Sequence, residues 1–501
     1  MNYGRRLIDG ITMYRVVIYA LLTIAFAALT LSVAGVLAVA PLALVLSFLV
    51  ITTGALLTHI LMVYITQAAS NIESSLITAL ILFLIVTPVQ ELHSLFVVMG
   101  LGAAAVGLKY VVRYRYRHIF NPVALVLVLA SFFSYYGAEW WVGSRYLFPV
   151  VLLAALVVVA KTRRWELFLT YIISSSIFVV IAFWGTTLIM SETLIRHFIS
   201  WPTIFLAAFM LTEPLSLPGT KRLQYVYALI VAALSSIPFS IGSLYGTPEL
   251  ALLAANFMTF VIERPERLRL TFKNKREVGK DTVEYIFATE SVQQHKPGQY
   301  LEWTLPHSKP DKRGIRRYFT ITSAPGRSEV SLAVRHSVKP STWKQTLSSL
   351  SPGAFLYATQ RAGDFTLRPN AKHHVWIAGG IGVTPFVSML RQAEAIQQPI
   401  QATLFYCNKT EADIAFKELC DRADAVGVTV IHILQKPDAP LSIHEVGYIT
   451  ADMVKKYVPE WQHATFYISG PPSLVGAYKK LVRKMGVSAR RIVIDYFPGL
   501  A

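Results

Sequence analysis

A glycine-rich segment near residue 380 carries the most specific chemical signal in the chain. An apolar run over 374–378 leads directly into Gly379, Gly380 and Gly382, and Thr384 follows. The pattern predicts a strand, a tight turn and a helix capped by Thr384. Glycines allow the backbone to approach a pyrophosphate closely, and a helix N-terminus presents free N–H groups to it. The segment is therefore typical of a dinucleotide-binding turn at the carboxyl edge of a parallel sheet.

A second segment, Arg316 to Pro325, places basic, aromatic and hydroxyl side chains on one predicted strand. An arginine can pair with a diphosphate, an aromatic ring can stack on a flavin ring, and a hydroxyl can hydrogen-bond the flavin edge. A solvated edge strand with ordinary alternation would show the same residues. The residues alone leave both interpretations open.

Two different patterns surround these segments. Up to about residue 367, short β runs are separated by turns such as Lys296-Pro297-Gly298, which is typical of a small antiparallel barrel. After about residue 373, apolar strands alternate with helices, which is typical of a parallel α/β sheet. The predicted strands are Val283–Thr289, Tyr300–Leu305, Tyr318–Thr322, Val330–His336, Val375–Ala378, Thr403–Tyr406, Thr429–Leu434 and Ala464–Ile468.

Together the two segments resemble the ferredoxin–NADP reductase superfamily, over nearly the whole of residues 265–501. The order of motifs agrees: barrel, Arg-x-aromatic-Ser/Thr, Gly-Gly-x-Gly-x-Thr-Pro, Gly-Pro-Pro and an aromatic residue near the C-terminus. The resemblance implies an FAD-binding barrel over 265–370 and an NAD(P)-binding α/β domain over 371–501. It also implies hydride transfer from the nicotinamide to FAD, which then releases electrons one or two at a time.

The resemblance implies flavin roles residue by residue. Arg317 would contact the diphosphate, Phe319 would lie against the ring, and Thr320 would sit near its N5 atom. The segment with Ser341 and Thr342 would hold the diphosphate from the other side, which favours FAD over FMN. Phe497 would cover the ring. The residues implied in flavin binding are Arg317, Tyr318, Phe319, Thr320, Thr322, Ser341 and Thr342.

The nicotinamide dinucleotide would occupy the glycine-rich turn. Ser469 stands where the family often has cysteine, so a thiol role beside the nicotinamide is absent. The reacting centre would contain Thr320, Ser469 and Phe497. Candidates to bind an adenosine 2′-phosphate are Asn408, Lys409 and Arg422. The choice between NADPH and NADH as the substrate stays open. The residues implied in dinucleotide binding are Gly379, Gly380, Gly382, Thr384, Gly470 and Pro471.

The first half of the chain has another composition, with long uncharged apolar runs up to about Ile262. A bilayer-spanning helix needs roughly 20 apolar residues, and the runs predict about ten crossings within a transmembrane domain over 1–264. Buried soluble helices do not account for so many uncharged runs. The first run lacks a cleavage site and is not a signal peptide. Examples of the runs are Val16–Val36, Pro41–Ile65, Pro122–Tyr136, Leu167–Ile189 and Trp201–Leu211.

The formal net charge of +18 is explained by the membrane rather than by nucleic acid, since no nucleic-acid-binding motif accompanies it. With ten crossings, the basic loops fall on the same side as both termini. Basic short loops mark the cytoplasmic face, so we expect a multi-pass plasma-membrane protein with both termini in the cytoplasm. The basic loops are Arg5–Arg6, Lys109–Arg117, Lys161–Arg164, Lys221–Arg222 and Arg264–Arg276.

The two cysteines, Cys407 and Cys420, are too few for an iron–sulfur cluster or a zinc site, and a cytoplasmic disulfide is disfavoured. The chain therefore lacks the ferredoxin domain that ends many relatives, and the membrane half becomes the candidate electron acceptor. Two haems would need paired histidines on facing helices. The histidines of the membrane half, which do not form such pairs, are His59, His93, His118 and His197.

The segments 118–122 (His-Ile-Phe-Asn-Pro), 140–143 (Trp-Trp-Val-Gly) and 210–216 (Met-Leu-Thr-Glu-Pro-Leu-Ser) resemble the RnfD/NqrB family of membrane electron-transfer subunits, over most of 10–262. The resemblance implies membrane-bound flavin, with FMN linked through phosphate to a threonine. Thr220 is the corresponding residue here, but it is displaced by about one position, so noncovalent flavin is the alternative. Asn121-Pro122 and Glu213-Pro214 have a second interpretation as helix starts.

The combined interpretation is a membrane-bound NAD(P)H-dependent flavin oxidoreductase. Electrons would pass from cytoplasmic NAD(P)H through FAD to a quinone, or to a flavin or other redox partner across the membrane. The alternatives are a redox-sensing transporter and a haem-based ferric reductase. Autonomous ion pumping is disfavoured, because intramembrane acids are few and four acids of this half fall near predicted outer ends of the spans. These acids are Glu91, Glu139, Glu192 and Glu249.

Overall fold

The computed structural model describes residues 11–66, 71–115, 117–133, 137–241, 244–263, 267–308, 310–311, 314–436 and 444–496. Apart from Met1, the chain divides into two compact units, Asn2–Pro265 and Glu266–Ala501. Each unit has its own hydrophobic core.

Helices build the first unit, because its apolar runs contain few residues that interrupt a helix. Polar caps mark some of the starts: the Asn71 side chain accepts a hydrogen bond from Glu73 N, and Thr247 accepts one from Leu250 N. The described helices are α1 (Met13–Val33), α2 (Pro41–Thr66), α3 (Ile72–Ile85), α4 (Leu92–Val111), α5 (Pro122–Phe133), α6 (Phe148–Thr162), α7 (Trp165–Phe183), α8 (Met190–Ile199), α9 (Thr203–Met210, ending in a π turn), α10 (Lys221–Ser236) and α11 (Pro248–Ile262).

Two glycines let α2 and α4 approach backbone to backbone. A Cβ atom on Gly54 would collide with the carbonyl oxygen of Met99, and one on Gly102 would lie 2.5 Å from that of Ile51. Small residues at helix crossings are typical of membrane proteins, where close packing replaces the hydrophobic attraction that lipid cannot provide.

Among the described helices, α1, α2, α4 and α7 are long and apolar enough to cross a membrane. The bent pair α8 and α9, which meet at 49°, would make a fifth span if counted together. Four further apolar helices, α3, α5, α6 and α11, are 10–17 residues long. The predicted class, a domain of several apolar helices, is confirmed. The figure of ten crossings stays a prediction.

The second unit begins with six antiparallel strands in the order β4-β3-β6-β1-β2-β5, strongly curled into a half-barrel. Its inner face buries Phe287 and Trp303 completely. Trp343, on the short helix α12, is also fully buried and fills the interior from the side of that helix. The elements are β1 (Arg267–Gly279), β2 (Thr282–Gln293), β3 (Tyr300–Thr304), β4 (Arg316–Thr320), β5 (Arg327–Arg335), α12 (Thr342–Ser348) and β6 (Phe355–Ala362).

A parallel six-stranded sheet follows, in the order β10-β9-β8-β7-β11-β12. The chain starts at the central β7, builds outward to β10, and then crosses back to β11. The strand order therefore reverses between β7 and β11, which is where ligands bind in open α/β sheets. The elements are β7 (His374–Gly379), α13 (Thr384–Ile396), β8 (Ala402–Asn408), α14 (Lys417–Asp421), β9 (Val428–Leu434), β10 (His444–Val446), α15 (Ala451–Tyr457), β11 (Thr465–Gly470), α16 (Pro472–Lys484) and β12 (Ile492–Tyr496).

The predicted classes of both sheets are confirmed, and each of the eight predicted strands is present with ends shifted by a few residues. The predicted barrel is open on one side and forms a half-barrel, because its edge strands β4 and β5 are not paired with each other in the described residues. Within these two six-stranded sheets, four of the described strands were not predicted: β1, β6, β10 and β12.

Candidate functional site

The glycine-rich turn lies at the carboxyl end of β7, where the strand order of the parallel sheet reverses. Gly380 has a left-handed φ of 52°, a conformation that side chains with a Cβ atom rarely adopt. A Cβ atom on Gly382 would lie 2.6 Å from the Ser469 carbonyl oxygen and 2.7 Å from Gly470 Cα. The turn after β7 and the end of β11 therefore touch backbone to backbone, and only glycine fits between them.

The prediction that Thr384 caps the following helix is wrong. Thr384 is the first residue of α13, and the capping position belongs to Val383. The reason is that residues Gly380–Val383 already form a 3₁₀ turn, which leads into the α-helix without a break. The Thr384 hydroxyl instead donates to the Ile381 carbonyl oxygen at 3.2 Å. Thr384 thus tightens the turn.

Two buried polar side chains at this edge have no partner among the described residues. The Ser469 hydroxyl, at the end of β11, is fully buried without a hydrogen bond. Both polar atoms of the Asn408 amide, at the end of β8, are likewise buried without a partner. Unsatisfied buried polar groups are destabilising, so they mark positions where a ligand or water completes the set. They flank the glycine turn, and this fits a nicotinamide dinucleotide.

Arg335, which the sequence did not single out, reaches the glycine turn from the half-barrel. Its Nη1 atom lies 3.6 Å from the position of a Cβ atom on Gly380. The same guanidinium forms an ion pair with Asp413 at 2.5 Å. A cation beside a glycine-rich turn complements an anionic pyrophosphate. Only the tertiary structure brings the end of β5 to this turn, so no local sequence signal identifies Arg335.

Strand β4 presents its predicted flavin residues on two opposite faces. Arg317 and Phe319 pair in the ladder with the core residues Trp303 and Leu301 and point inward. The Phe319 ring packs on Trp343 with centroids 5.1 Å apart. β4 is an edge strand, hydrogen-bonded to β3 alone in the described sheet.

Tyr318 points the other way and is 49% exposed. Its hydroxyl donates to Glu302 at 3.0 Å, and its ring meets Tyr300 edge to face at 5.6 Å. Thr320 lies on this same face of β4 but is buried. The exposed aromatic ring of the motif is therefore Tyr318, whereas Phe319 is held against the interior.

Arg317, Asp311 and Thr342 converge at the start of α12. Arg317 donates two hydrogen bonds to the Asp311 carboxylate, at 2.7 and 2.8 Å. The Thr342 hydroxyl accepts from Asp311 N at 3.0 Å, and Ser341 caps the helix by accepting from Lys344 N. The structure thus brings together three of the residues implied in diphosphate binding. A diphosphate would compete with Asp311 for Arg317.

Thr322 lies in a fully buried polar cluster rather than on an open surface. Its hydroxyl donates to Glu284 at 2.6 Å and shares a 2.8 Å hydrogen bond with Ser331. Glu284 also accepts from Arg391 and Arg276. Burial alone would raise the pKa of Glu284, but these partners lower the pKa to about 2. Sequence reasoning missed Glu284 and Arg391, because they lie on separate elements and match no motif.

Arg422 does not lie at the glycine turn. It forms an ion pair at 2.7 Å with Glu394, which is in the last turn of α13. Since α13 begins at the glycine turn, Glu394 is roughly 15 Å along the helix from it. Asn408, in contrast, lies at the carboxyl edge of the sheet. The structure therefore separates Arg422 from Asn408 as a candidate contact for a 2′-phosphate.

In the first unit, the segments 118–122 and 210–216 contact each other. The Asn121 side chain donates to Glu213 at 2.7 Å, and Asn121 N donates to Asn256 at 2.8 Å. Asn121 also caps α5 by accepting from the backbone of Val123 and Ala124, so its interpretation as a helix start is confirmed. For Glu213 that interpretation is wrong, since residues 211–220 form turns and not a helix.

Thr220 immediately precedes α10 in an extended conformation, and its side chain forms no capping hydrogen bond. The preceding Gly219 N donates to Glu263 at 2.8 Å. Thr220 is partly exposed in its unit. Phe497, the last of the predicted site residues, lies outside the described residues.

Known proteins resemble both parts of the chain. Residues 376–480 match the family model of the oxidoreductase NAD-binding domain, and residues 130–270 match that of the NQR2, RnfD, RnfE family. A flavohemoprotein of Burkholderia sp. (strain TH2) is 27% identical over 204 residues, covering 40% of this chain and 51% of its own. NADH-cytochrome b5 reductase 1 of Pyricularia oryzae is 28% identical over 206 residues, covering 39% and 66%.

The plasma membrane-associated coenzyme Q6 reductase of Saccharomyces cerevisiae is 27% identical over 179 residues, covering 35% of this chain and 57% of its own. The chain spans about half to two thirds of the length of these three curated relatives. Both resemblances identified from the sequence are confirmed: one part of the chain is similar to the NQR2, RnfD, RnfE family, and another is similar to the oxidoreductase NAD-binding domain.

Proposed function

We propose that this chain is a membrane-bound NAD(P)H-dependent flavin oxidoreductase that delivers electrons from FAD into its membrane half. The observation that carries the proposal is the carboxyl edge of the parallel sheet. There Gly382 of the glycine turn has no room for a Cβ atom, and the buried side chains of Ser469 and Asn408 have no hydrogen-bond partner in the described part of the chain. The similarity to flavin-dependent reductases supports the same reaction.

The nicotinamide dinucleotide would lie across the turn between β7 and β11. Gly380 and Gly382 would admit its pyrophosphate, and Arg335 would neutralise part of its charge after releasing Asp413. The Ser469 hydroxyl would then gain the hydrogen bond that it lacks, beside Gly470 and Pro471. When bound, the nicotinamide supplies the hydride and the flavin accepts it. The residues of the turn and of β11 would orient the nicotinamide ring against the flavin ring and exclude water from between the two rings.

FAD would lie along the free edge of β4. Arg317, Ser341 and Thr342 would bind the diphosphate, and Tyr318 is the ring of the motif that is exposed enough to contact a flavin. Thr320 would lie at the flavin edge, with Phe497 as a proposed cover. We propose residues 265–370 and 371–501 as the bounds of the flavin and nicotinamide domains, with 1–264 as the membrane domain.

The acceptor is proposed to be a quinone, or a redox partner reached across the membrane. The relative named as a coenzyme Q6 reductase favours quinone. Cys407 and Cys420 are fewer than the four thiolates that usually hold an iron–sulfur cluster. The basic loops favour a plasma-membrane location with both termini in the cytoplasm.

A visible spectrum of the full chain, purified in detergent, tests the proposal. We expect flavin absorption without a Soret band, followed by bleaching when NADH or NADPH is added under argon. Reoxidation by a soluble quinone analogue would identify the acceptor class. A Soret band would favour a haem-based ferric reductase. Nucleotide binding without bleaching would favour a redox-sensing transporter.

The flavin of the membrane half needs a separate measurement. Acid precipitation releases noncovalent flavin, so a flavin retained in the pellet indicates a covalent link. We expect the retained flavin, where present, to disappear in Thr220→Ala and to persist in Thr186→Ala, an exposed threonine of the same unit. A single flavin, fully released by acid and unable to reduce quinone, would contradict electron delivery into the membrane half.

A further inference from the structure

A buried ion network joins the half-barrel to the helix that begins at the glycine turn. The Glu284 carboxylate on β2 is fully buried. Arg391 on α13 donates two hydrogen bonds to this carboxylate, at 2.6 and 3.0 Å. Arg276 on β1 contacts the same carboxylate at 2.7 Å. Oε1 of Glu284 therefore pairs with Arg391, and Oε2 pairs with both Arg391 and Arg276, which lie in different domains.

The network also reaches the flavin motif itself. Arg391 donates to the Thr322 carbonyl oxygen at 2.9 Å, and the Thr322 hydroxyl donates to Glu284 at 2.6 Å. Thr322 lies two residues after Thr320, which is proposed to lie at the flavin edge. Arg391 lies on α13, whose first residue follows the dinucleotide turn. One guanidinium therefore connects the segment that directly follows β4, the proposed flavin strand, to the helix that begins at the proposed dinucleotide turn.

The seam beside this network is not close-packed. A cavity of about 650 Å³ adjoins it, lined by Arg276, Glu284, Ser331 and Arg391 among others. The ion network lies at the border of this space, where it links the two domains through side chains. A second such link is the hydrogen bond from Ser388 to the Ser323 carbonyl oxygen at 3.0 Å.

We propose that Arg391 and Glu284 are a positioning pair that sets the distance between the flavin and the nicotinamide for hydride transfer. The pair touches neither ring and acts through Thr322 and α13. The inference rests on the proposed function. Its physical basis is that the bidentate guanidinium–carboxylate geometry fixes both distance and angle, and hydride transfer rates depend steeply on both.

The test uses Arg391→Lys in the full chain, which keeps the charge and removes the planar fork. Flavin content and thermal midpoint verify that the variant is folded. Stopped-flow bleaching with NADH and with NADH deuterated at C4 then measures the hydride step. We expect the rate to fall roughly ten- to hundredfold with little change in NADH affinity. The isotope effect should become more temperature-dependent, which loss of stability alone would not cause.

Lys456→Gln is the control, because it breaks the exposed 2.8 Å ion pair of Lys456 on α15 with Glu445, which lies away from the seam. It should leave the rate and isotope effect unchanged. Arg391→Met removes the two hydrogen bonds that Arg391 donates to the buried Glu284 carboxylate, and Glu284→Gln removes the anion that faces Arg391. Either variant can fail to fold, so Arg391→Lys decides. A folded Arg391→Lys protein with a wild-type rate and isotope effect overturns the inference alone. If NADH does not bleach the flavin of the wild-type protein, the proposed function is wrong, and this inference fails with it.

Discussion

Two buried polar regions of the reductase module differ in how completely they are paired. At the seam, Glu284 accepts hydrogen bonds from Arg391, Arg276, Thr322 and Ser331. At the carboxyl edge of the parallel sheet, the hydroxyl of Ser469 lacks a partner among the described residues, although it is just as deeply buried.

We interpret the difference as one between polar groups with a structural role and polar groups proposed to bind a ligand. A complete set of hydrogen bonds offsets the desolvation of a buried charge and holds two domains in register. An incomplete set destabilises the protein until a ligand completes it. The edge is also the point where the strand order reverses, so geometry and hydrogen bonding indicate the same ligand site. The following substitutions test the contrast.

The largest effect is expected for Gly382→Ala at the edge. The added Cβ would lie 2.6 Å from the Ser469 carbonyl oxygen, and the backbone atoms there cannot move aside easily. We expect flavin bleaching by NADH to slow roughly hundredfold, equivalent to about 3 kcal/mol. FAD content should stay unchanged, because β4 is not involved.

Gly476→Ala in α16 is the control for this substitution, since a Cβ atom there would meet nothing within 4 Å. Its rate should equal that of the wild type. An unchanged rate in Gly382→Ala would show that the turn is not the dinucleotide site.

At the seam, Glu284 should make the reductase module sensitive to acid. The pKa of Glu284 is about 2 in the folded protein and 4.5 ordinarily, so below pH 4.5 the unfolded chain takes up a proton that the folded protein does not. The contribution of Glu284 is therefore complete above pH 4.5 and is lost as the pH falls toward 2, by about 3 kcal/mol. Flavin release on heating, monitored by flavin fluorescence at several pH values, measures this loss of stability.

Glu284→Gln should show a lower thermal midpoint at pH 7 and a shallower decline between pH 4.5 and 2 than the wild type. The lower midpoint follows because Arg391 and Arg276 lose their buried anion. Parallel declines in the two proteins would mean that Glu284 does not contribute to the acid sensitivity.

A smaller and opposite pattern is expected for Ser469→Ala at the edge. Removing an unpartnered hydroxyl should leave the thermal midpoint of the ligand-free protein unchanged or slightly raised. The dissociation constant for NADH should rise about tenfold, the equivalent of one lost hydrogen bond. Equilibrium titration measures it. A lower midpoint with unchanged affinity would place Ser469 among the structural groups.

The smallest effect distinguishes the two rings of β4. Tyr318→Leu should weaken FAD retention several-fold with little change in stability, because the ring is half exposed. Phe319→Leu should lower the thermal midpoint, because its ring packs on Trp343. Flavin content after gel filtration, compared with the melting temperature, separates the two. The reverse pattern would return the flavin contact to Phe319.

Much of the fold was predictable because local patterns carry it. Apolar strands such as Thr403–Tyr406 alternate with helices, and glycine marks the turn after β7. β1 was missed because it carries so many charges, although Leu268, Leu270 and Phe272 alternate along it toward the barrel core. β6, β10 and β12 were also missed. Strands like these are recognised by their neighbours in the sheet more than by their own composition.

The candidate site also has a part that the sequence predicts and a part that only the tertiary structure reveals. The sequence by itself indicated the class of chemistry, because the glycines at 380 and 382 are a local signal for pyrophosphate binding and, together with the Arg317–Thr320 motif, resemble a known reductase superfamily. Tertiary structure alone brought Arg335 to the glycine turn, turned Tyr318 outward and Phe319 inward, and paired Glu284 with Arg391 across more than a hundred residues. Such long-range pairings depend on sheet order and domain packing, which no local spacing in the chain encodes.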